Sequence, residues 1–475
     1  MVRARVAGPP FLLSLVLGLW GITRQGSIWR DEVVTVQVAH RSLPELWRLL
    51  GGIDAVHGLY YLLLHGVFAL WDGGLVALRL PSVLATALAA ALLADLGRRL
   101  AGAAAGLAAG LVFALLPAIQ QYAQEGRSYA LVTAAVVLAG WQLVRARQRP
   151  GGWAWAGYGL AVLLGGLLHE FAVLAVAAHG VSMLWARAGR RVLLGWALAV
   201  AGAAAGLAPL AVLSGRQADQ VGWITTPGLA DVWAPALTSA VGALCWWLLG
   251  RGPAAALAVV GLPWLVVPPA VLILVSYLDP LYVDRYVVFS YAGLALLVGG
   301  VLARGLQALP GRARRVVAVL AVPAAVAALL PVELGLRAPG ARPNDVAAAA
   351  RAVQELARPG DAVLFLPGAR REAALYDPAA FAGLHDLALA EAGADSGTIN
   401  GVEAEPAAIT AALRGATGVV LVTDPRPRPA PNARDRAKAA ALAKSFAPCR
   451  AVLVRGLKVV RYARPGECPA GAAGG

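Results

Sequence analysis

About eleven apolar runs recur along the first 331 residues, most of them near the roughly 20 residues that a helix needs to cross a bilayer. They cover 8–23, 76–96, 100–119, 128–146, 153–169, 171–187, 191–213, 233–250, 254–276, 285–304 and 312–331. A shorter piece, 58–71, follows a polar loop and reads as a half-span or an interfacial helix. A hydrophobic share of 59% and a mean hydropathy of +0.68 stand far above those of a soluble domain. The first run has no small-residue cleavage site and leads directly into Trp20 and an acidic loop, so it reads as a retained span and not a signal peptide. The expected fold class is mainly α: a polytopic helical membrane protein of about 11 spans plus an interfacial or half-spanning helix, with a small C-terminal extracytoplasmic α/β domain.

The net charge of +15 would suggest nucleic acid in a soluble chain. Here the arginines gather in short loops between apolar runs, which makes them topology signals, and no nucleic-acid partner is expected. Arg3/Arg5, Arg98/Arg99, Arg145/Arg147/Arg149, Arg187/Arg190/Arg191, Arg251 and Arg304/Arg312/Arg314/Arg315 mark one set of loops as cytoplasmic. The other set, 24–75, 120–127, 169–170, 214–232 and 277–284, faces outward. An odd number of spans with a cytoplasmic N-terminus puts the C-terminal domain outside, in a multi-pass protein of the plasma (cytoplasmic) membrane.

From about residue 340 the composition shifts toward Pro, Asp and Glu. The expected domains are 1–335, a transmembrane domain with functional outer loops at 24–75 and 120–128, and 340–475, an extracytoplasmic α/β domain large enough for its own core. Asn344 is placed to cap a helix running through Leu356. Strands are expected over 362–366 and 418–422, helices over 406–413 and 433–446, a proline-rich loop from Pro425 to Pro431, and a hairpin over 450–462 turning at Gly456. This part holds no Gly-rich phosphate loop and no nucleophile motif. Cys449 and Cys468 would pair in an oxidising compartment; Cys245, in an apolar run, is expected to be inert.

The chain has only 26 acids against 41 basic residues, and two acids stand together in Arg30-Asp31-Glu32, just past the first span. Ionisable groups near membrane depth are costly, so their default reading is functional. The other outward loops add Asp54-Ala55-Val56-His57-Gly58-Leu59-Tyr60-Tyr61, Arg79-Leu80-Pro81-Ser82 at the head of a span, and Gln121 to Tyr129 with Glu125 and Arg127. They also add His169-Glu170, Arg216-Gln217, Gln220 with Trp223, and Asp284-Arg285-Tyr286. Carboxylates, arginines, rings and amides together suit sugar-phosphate chemistry. The guanidinium fork matches phosphate oxygens, and a carboxylate can take a proton from a hydroxyl. Plainer roles stand beside these: Asp31 and Asp54 as helix caps, Glu32 as a complement to a helix N-terminus, Glu125 paired with Arg127, Arg285 snorkelling to the interface, Arg79 structural, and His169 and Glu170 satisfied internally.

In their order, these motifs resemble the GT-C superfamily of membrane glycosyltransferases, in particular bacterial family-39-like enzymes of the dolichyl-phosphate-mannose-protein mannosyltransferase and aminoarabinose transferase types. The resemblance runs from about residue 8 to 331. It implies inverting transfer of a sugar, mannose by default, from a polyprenyl-phosphate donor to an acceptor hydroxyl on a glycan, lipid or protein at the outer face of the membrane. Asp31, with Glu32 beside it, would be catalytic, and Asp31 would be the general base. Asp54, His57, Tyr60, Tyr61, Glu125, Arg127, Arg285 and Tyr286 would hold the donor's phosphate and sugar, with Arg79, His169, Glu170 and Gln220 as further contacts. Aminoarabinose-type relatives carry Lys-Pro-Pro where this chain has Val56-His57-Gly58, and neither a metal nor another cofactor is expected to be required. Rival readings are a transporter or flippase for a glycolipid or solute, and a non-catalytic glycan-binding scaffold. Against transport, the polar residues sit in outer loops and not mid-span.

Overall fold

The computed structural model of the chain describes residues 2–252, 254–426 and 432–468. The helices up to the bilayer's last long segment are α1 (Val2–Leu19), α2 (Arg30–Ala39), α3 (Leu43–Gly52), α4 (Gly58–Leu70), α5 (Gly74–Ala101), α6 (Ala103–Leu115), α7 (Pro117–Ala123), α8 (Tyr129–Gln148), α9 (Gly152–Leu168), α10 (Leu174–Trp185), α11 (Arg190–Arg216), α12 (Leu229–Leu249), α13 (Ala255–Ser276), α14 (Tyr291–Ala308) and α15 (Gly311–Arg337). Among the described residues, eight helices are long and apolar enough to cross a membrane: α1, α5, α8, α11, α12, α13, α14 with the turn before it, and α15. The chain is an integral membrane protein.

Three expected spans differ in form. The run 100–119 is broken into α6 and α7, bent by 63°. The break falls at Leu116–Pro117, where Leu116 is extended (φ −67°, ψ 121°) because a proline ring clashes with a helical residue before it and offers no N–H. The runs 153–169 and 171–187 are α9, of 17 residues and at the lower limit of about 17 for a crossing, and α10, of 12, which is shorter than a full crossing by itself. Arg79-Leu80-Pro81-Ser82 lies inside α5 and not at its start, so Pro81 is accommodated within the helix.

The chain divides into two compact units. The first comprises the described residues up to Ile22, then Asp54–Tyr60 and Val76–Leu336; the second comprises Thr23–Ile53, Tyr61–Leu75 and the described residues from Arg337 on.

In the first unit, small residues let helices approach closely where lipid supplies no hydrophobic drive. A Cβ on Gly106 would collide with the Ala94 carbonyl, and one on Gly299 with the Ala109 backbone, so α6 lies against α5 on one side and α14 on the other at backbone contact. Around Trp155 and Tyr158, α8, α9 and α11 share an apolar core. The Tyr158 hydroxyl accepts from Trp196 Nε1 at 3.0 Å and meets His179 Nδ1 at 3.1 Å, which satisfies polar atoms in an otherwise apolar interior.

The second unit is an α/β domain with two segments of early chain folded onto it. Its elements are α16 (Val346–Leu356), β1 (Asp361–Leu366), α17 (Glu372–Tyr376), β2 (His385–Asp386), β3 (Leu389–Glu391), α18 (Gly393–Ser396), β4 (Val402–Glu403), α19 (Pro406–Gly415), β5 (Gly418–Thr423), α20 (Ala433–Ser445), β6 (Ala447–Val454) and β7 (Leu457–Ala463). The main sheet has the order β2-β1-β5-β7-β6, and β3 pairs with β4 apart from it. Strand β1 runs parallel to β2 and β5, while β7 runs antiparallel to β5 and β6. Both β1 and β5 are buried almost throughout, as expected for parallel strands covered on two faces. Leu364, Val419 and Leu421 of the sheet pack with Ile409, Leu413 and Leu442 of α19 and α20. The hairpin turns through Gly456 at φ +71°, a conformation that favours glycine. Cys449 and Cys468 form a disulfide with a Cα–Cα distance of 5.3 Å. The loop expected from Pro425 to Pro431 falls mostly outside the described residues.

Candidate active site

In the first unit, a short 3-10 turn, Ala55–His57, hangs between two amides. The Asp54 N–H donates to Gln220 Oε1 and the Ala55 N–H to Gln217 Oε1, each at 3.0 Å. Asp54 occupies the cap position in the left-handed region (φ +64°), but its side chain makes no capping bond. Its Oδ1 lies 3.8 Å from His57 Nε2 instead. The buried His57 Nε2 also accepts from the Arg127 guanidinium at 2.5 Å, which requires a neutral ring. Burial, then the charges of Arg127 and Arg285, hold the His57 imidazole well below its ordinary value of 6.5.

Rings extend the cluster. His169 lies 5.5 Å from His57, 4.7 Å from Tyr286 and 5.8 Å from Tyr129 between centroids. Phe171 stacks on Tyr286 at 5.1 Å. Arg285 donates through Nε to the Tyr129 hydroxyl at 3.0 Å and lies over the rings of Trp223 and Tyr286. Two guanidiniums are thus held beside neutral imidazoles and phenols, an arrangement able to receive an anion with several oxygens. The motif around them is fastened from α5: Ser82 Oγ donates to the Glu125 carbonyl at 2.7 Å, and the fully buried Arg79 donates to the Ile22 carbonyl at 2.7 Å. A cavity of about 400 Å³ adjoins this cluster, with Tyr122, Trp223, Asp231, Tyr282 and Asp284 among its walls.

In the second unit, α2 begins at Arg30, so Asp31 and Glu32 stand in its first turn, where acids complement the helix dipole. Trp29 holds the cap position without a side-chain bond, so Asp31 is not the N-cap. The two acids differ sharply. Glu32 is fully buried and accepts from Arg24 at 2.6 Å, whereas Asp31 is half-exposed. Arg30 turns to Glu372, whose oxygens accept from its Nε at 2.9 and 3.1 Å. Burial pushes the Glu372 carboxyl up, with Arg30 and then Arg370 drawing it back. Among the described residues no group of three or more His, Cys, Asp or Glu is arranged to hold a metal ion.

Residues 59–214 match the family model for dolichyl-phosphate-mannose-protein mannosyltransferase. Among solved structures, ArnT from Cupriavidus metallidurans in the apo state superposes with a TM-score of 0.57 at 15% identity, covering 90% of this chain and 95% of that one. The same protein bound to undecaprenyl phosphate gives 0.59 at 14% identity, covering 99% of each chain. The fold is that of these ArnT structures. No curated protein matches the sequence.

Within this fold, the expected site residues fall into two groups. Asp54, His57, Arg127, His169, Arg285, Tyr286 and, through the Asp54 N–H, Gln220 come together in the first unit. Tyr60 and Glu125 are buried in the same unit, and Glu170 opens the 3-10 turn after His169. Asp31, Glu32 and the fully buried Tyr61 belong to the second. Residues that the sequence did not single out are Tyr129 and Phe171 in the first group, and Arg24 and Glu372 in the second; Asn344 is expected from sequence only as a helix cap. Tyr129 stood inside a quoted motif. Nothing local ties Asn344 or Glu372 to α2, which they reach from more than 300 positions away.

Proposed function

We propose that this protein transfers a sugar, mannose by preference, from a polyprenyl-phosphate donor to an acceptor hydroxyl on a glycan, lipid or protein. The observation that carries the reading is the match along 99% of both chains to a fold solved with undecaprenyl phosphate bound. The match of residues 59–214 to the mannosyltransferase family model supports the choice of sugar. The contrast between the two acids supports a single base: Glu32 is sealed against Arg24, whereas Asp31 is half-exposed and so open to an acceptor hydroxyl.

In this reaction the Asp31 carboxylate takes the proton of the acceptor hydroxyl as its oxygen attacks the anomeric carbon from the face opposite the phosphate. The bond from that carbon to the phosphate oxygen breaks, and the lipid phosphate leaves with the electron pair, inverting the centre. Arg127 and Arg285 stabilise the charge that grows on the leaving phosphate. His57, uncharged and hydrogen-bonded to Arg127, fixes that guanidinium. Phosphate is a weak base, so no strong general acid is called for. The reaction occurs at the outer face of the membrane, with the N-terminus cytoplasmic and the α/β domain outside.

The test is transfer of label from undecaprenyl-phosphate-[14C]mannose in native membrane vesicles that carry their own acceptors. Asp31→Asn should abolish it in folded protein, and retained transfer would refute the base assignment. The bent α6–α7 pair favours one alternative, since broken helices also line transport paths. Gradient-driven solute uptake without label transfer would select that reading.

A further inference from the structure

The helix that carries Asp31 lacks a cap of its own: Trp29 stands at the N-cap and offers no side-chain acceptor to the first turn. The free N–H of Arg30, the first helical residue, donates instead to Asn344 Oδ1 at 2.9 Å, across 314 positions of sequence. The bond is returned. The N–H of Val346, first residue of α16, donates to the Ile28 carbonyl at 2.8 Å. Each helix thus finds part of its missing N-terminal hydrogen bonding in the segment that leads into the other.

The side chain of Arg30 extends the join through Glu372, 3% exposed, and Arg370 binds Asp424 beyond it at 2.6 Å. The far end of α2 is held too, where Gln37 Nε2 donates to the Ile399 carbonyl and Arg41 to the Thr398 carbonyl, both at 2.8 Å. Burial pushes the Glu372 carboxyl up, and Arg30 and then Arg370 draw it back. Its two arginine neighbours give it directional value: one leads to α2, the other to the carboxyl end of β5.

We infer that Asn344 and Glu372 are positioning residues for the acid pair: from the C-terminal domain, they set the first turn of α2 and with it the direction of the Asp31 carboxylate. This rests on the reading of Asp31 as the base. It makes the α/β domain part of the catalytic apparatus and not an appendage.

The experiment uses the full chain, comparing wild type with Asn344→Ala, Asn344→Asp, Glu372→Gln, Lys438→Met and Asp31→Asn. Asn344→Asp keeps an acceptor oxygen for the Arg30 N–H. Lys438→Met breaks a buried ion pair of the same domain, to Glu403 and Asp435, that has no bond to α2. Label transfer is measured against donor concentration, and amide hydrogen exchange over 30–34 is followed in parallel. Asn344→Ala and Glu372→Gln should lower kcat about 10- to 100-fold, the scale of a misplaced catalytic group. They should leave the donor KM unchanged and speed exchange in the first turn of α2. Asn344→Asp should keep kcat within about threefold, since its acceptor survives. Lys438→Met should lower thermal stability without lowering kcat of the folded protein. Full kcat in Asn344→Ala and Glu372→Gln beside an inactive Asp31→Asn overturns the inference, as does an equal kcat loss in Lys438→Met. An active Asp31→Asn overturns the base reading instead, so the two failures are told apart.

Discussion

Arg24 donates to Glu32 across 2.6 Å with both side chains sealed from solvent, eight residues apart in sequence. Breaking a buried pair by removing one partner costs about 3–5 kcal/mol. Glu32→Gln and Arg24→Met should therefore each destabilise the protein strongly in thermal unfolding. The double variant Arg24→Met/Glu32→Gln should recover much of that loss. Asp31→Asn, at a half-exposed position, should unfold close to the wild-type temperature while losing label transfer. The adjacent acids thus separate into one read by stability and one read by turnover.

The His57 imidazole is depressed in the folded protein relative to its ordinary 6.5. The unfolded chain then binds more protons than the folded one over the interval between the two values. Stability from this group is present above about pH 6.5 and is lost as pH falls toward the folded value. Melting temperature should drop between pH 7.5 and pH 5.5. His57→Gln should flatten that acid-side slope, and an unchanged slope would show that His57 is not the titrating group.

Arg127 and Arg285 are expected to serve the donor and not the acceptor. Replacing either by Ala removes a charge-assisted contact worth about 1.5–3 kcal/mol, or roughly 10- to 150-fold in donor affinity. Binding of undecaprenyl phosphate, followed by tryptophan fluorescence, measures it directly. Arg285→Lys should restore little, because the guanidinium lies over Trp223 and Tyr286 and binds the Tyr129 hydroxyl in one plane-dependent arrangement.

The Cys449–Cys468 disulfide fits an oxidising compartment. A cysteine introduced at the exposed Asp395 should react with a membrane-impermeant maleimide in intact cells. Protection until the membrane is permeabilised would place the domain on the cytoplasmic side.

Local pattern carried much of the architecture into view. The apolar runs, the strands 361–366 and 418–423, the helix from Pro406 and the hairpin at Gly456 each follow from signals within a few residues. What escaped was set at long range. Asn344 has the chemistry of an N-cap, but Asp345 caps α16 through the Ala348 N–H, and Asn344 is drawn to Arg30. Pro117 predicts a break in principle, yet a hydropathy window passes over it because α6 and α7 are both apolar. The segment 23–53 is expected as part of the outer loop 24–75 of the transmembrane domain, whereas its contacts group it with residues beyond 336. No property of residue 30 alone reveals a partner at 372.

The reciprocal join of α2 and α16 also imposes an order in time. Arg30 is made early and Asn344 comes 314 residues later. At about 5–20 residues per second of synthesis, roughly 15–60 s separate them. Through that interval the first turn of α2 lacks the Asn344 acceptor that its Arg30 N–H uses in the finished chain, so on the reading of Asp31 as the base a half-made protein carries that carboxylate on an unfinished helix.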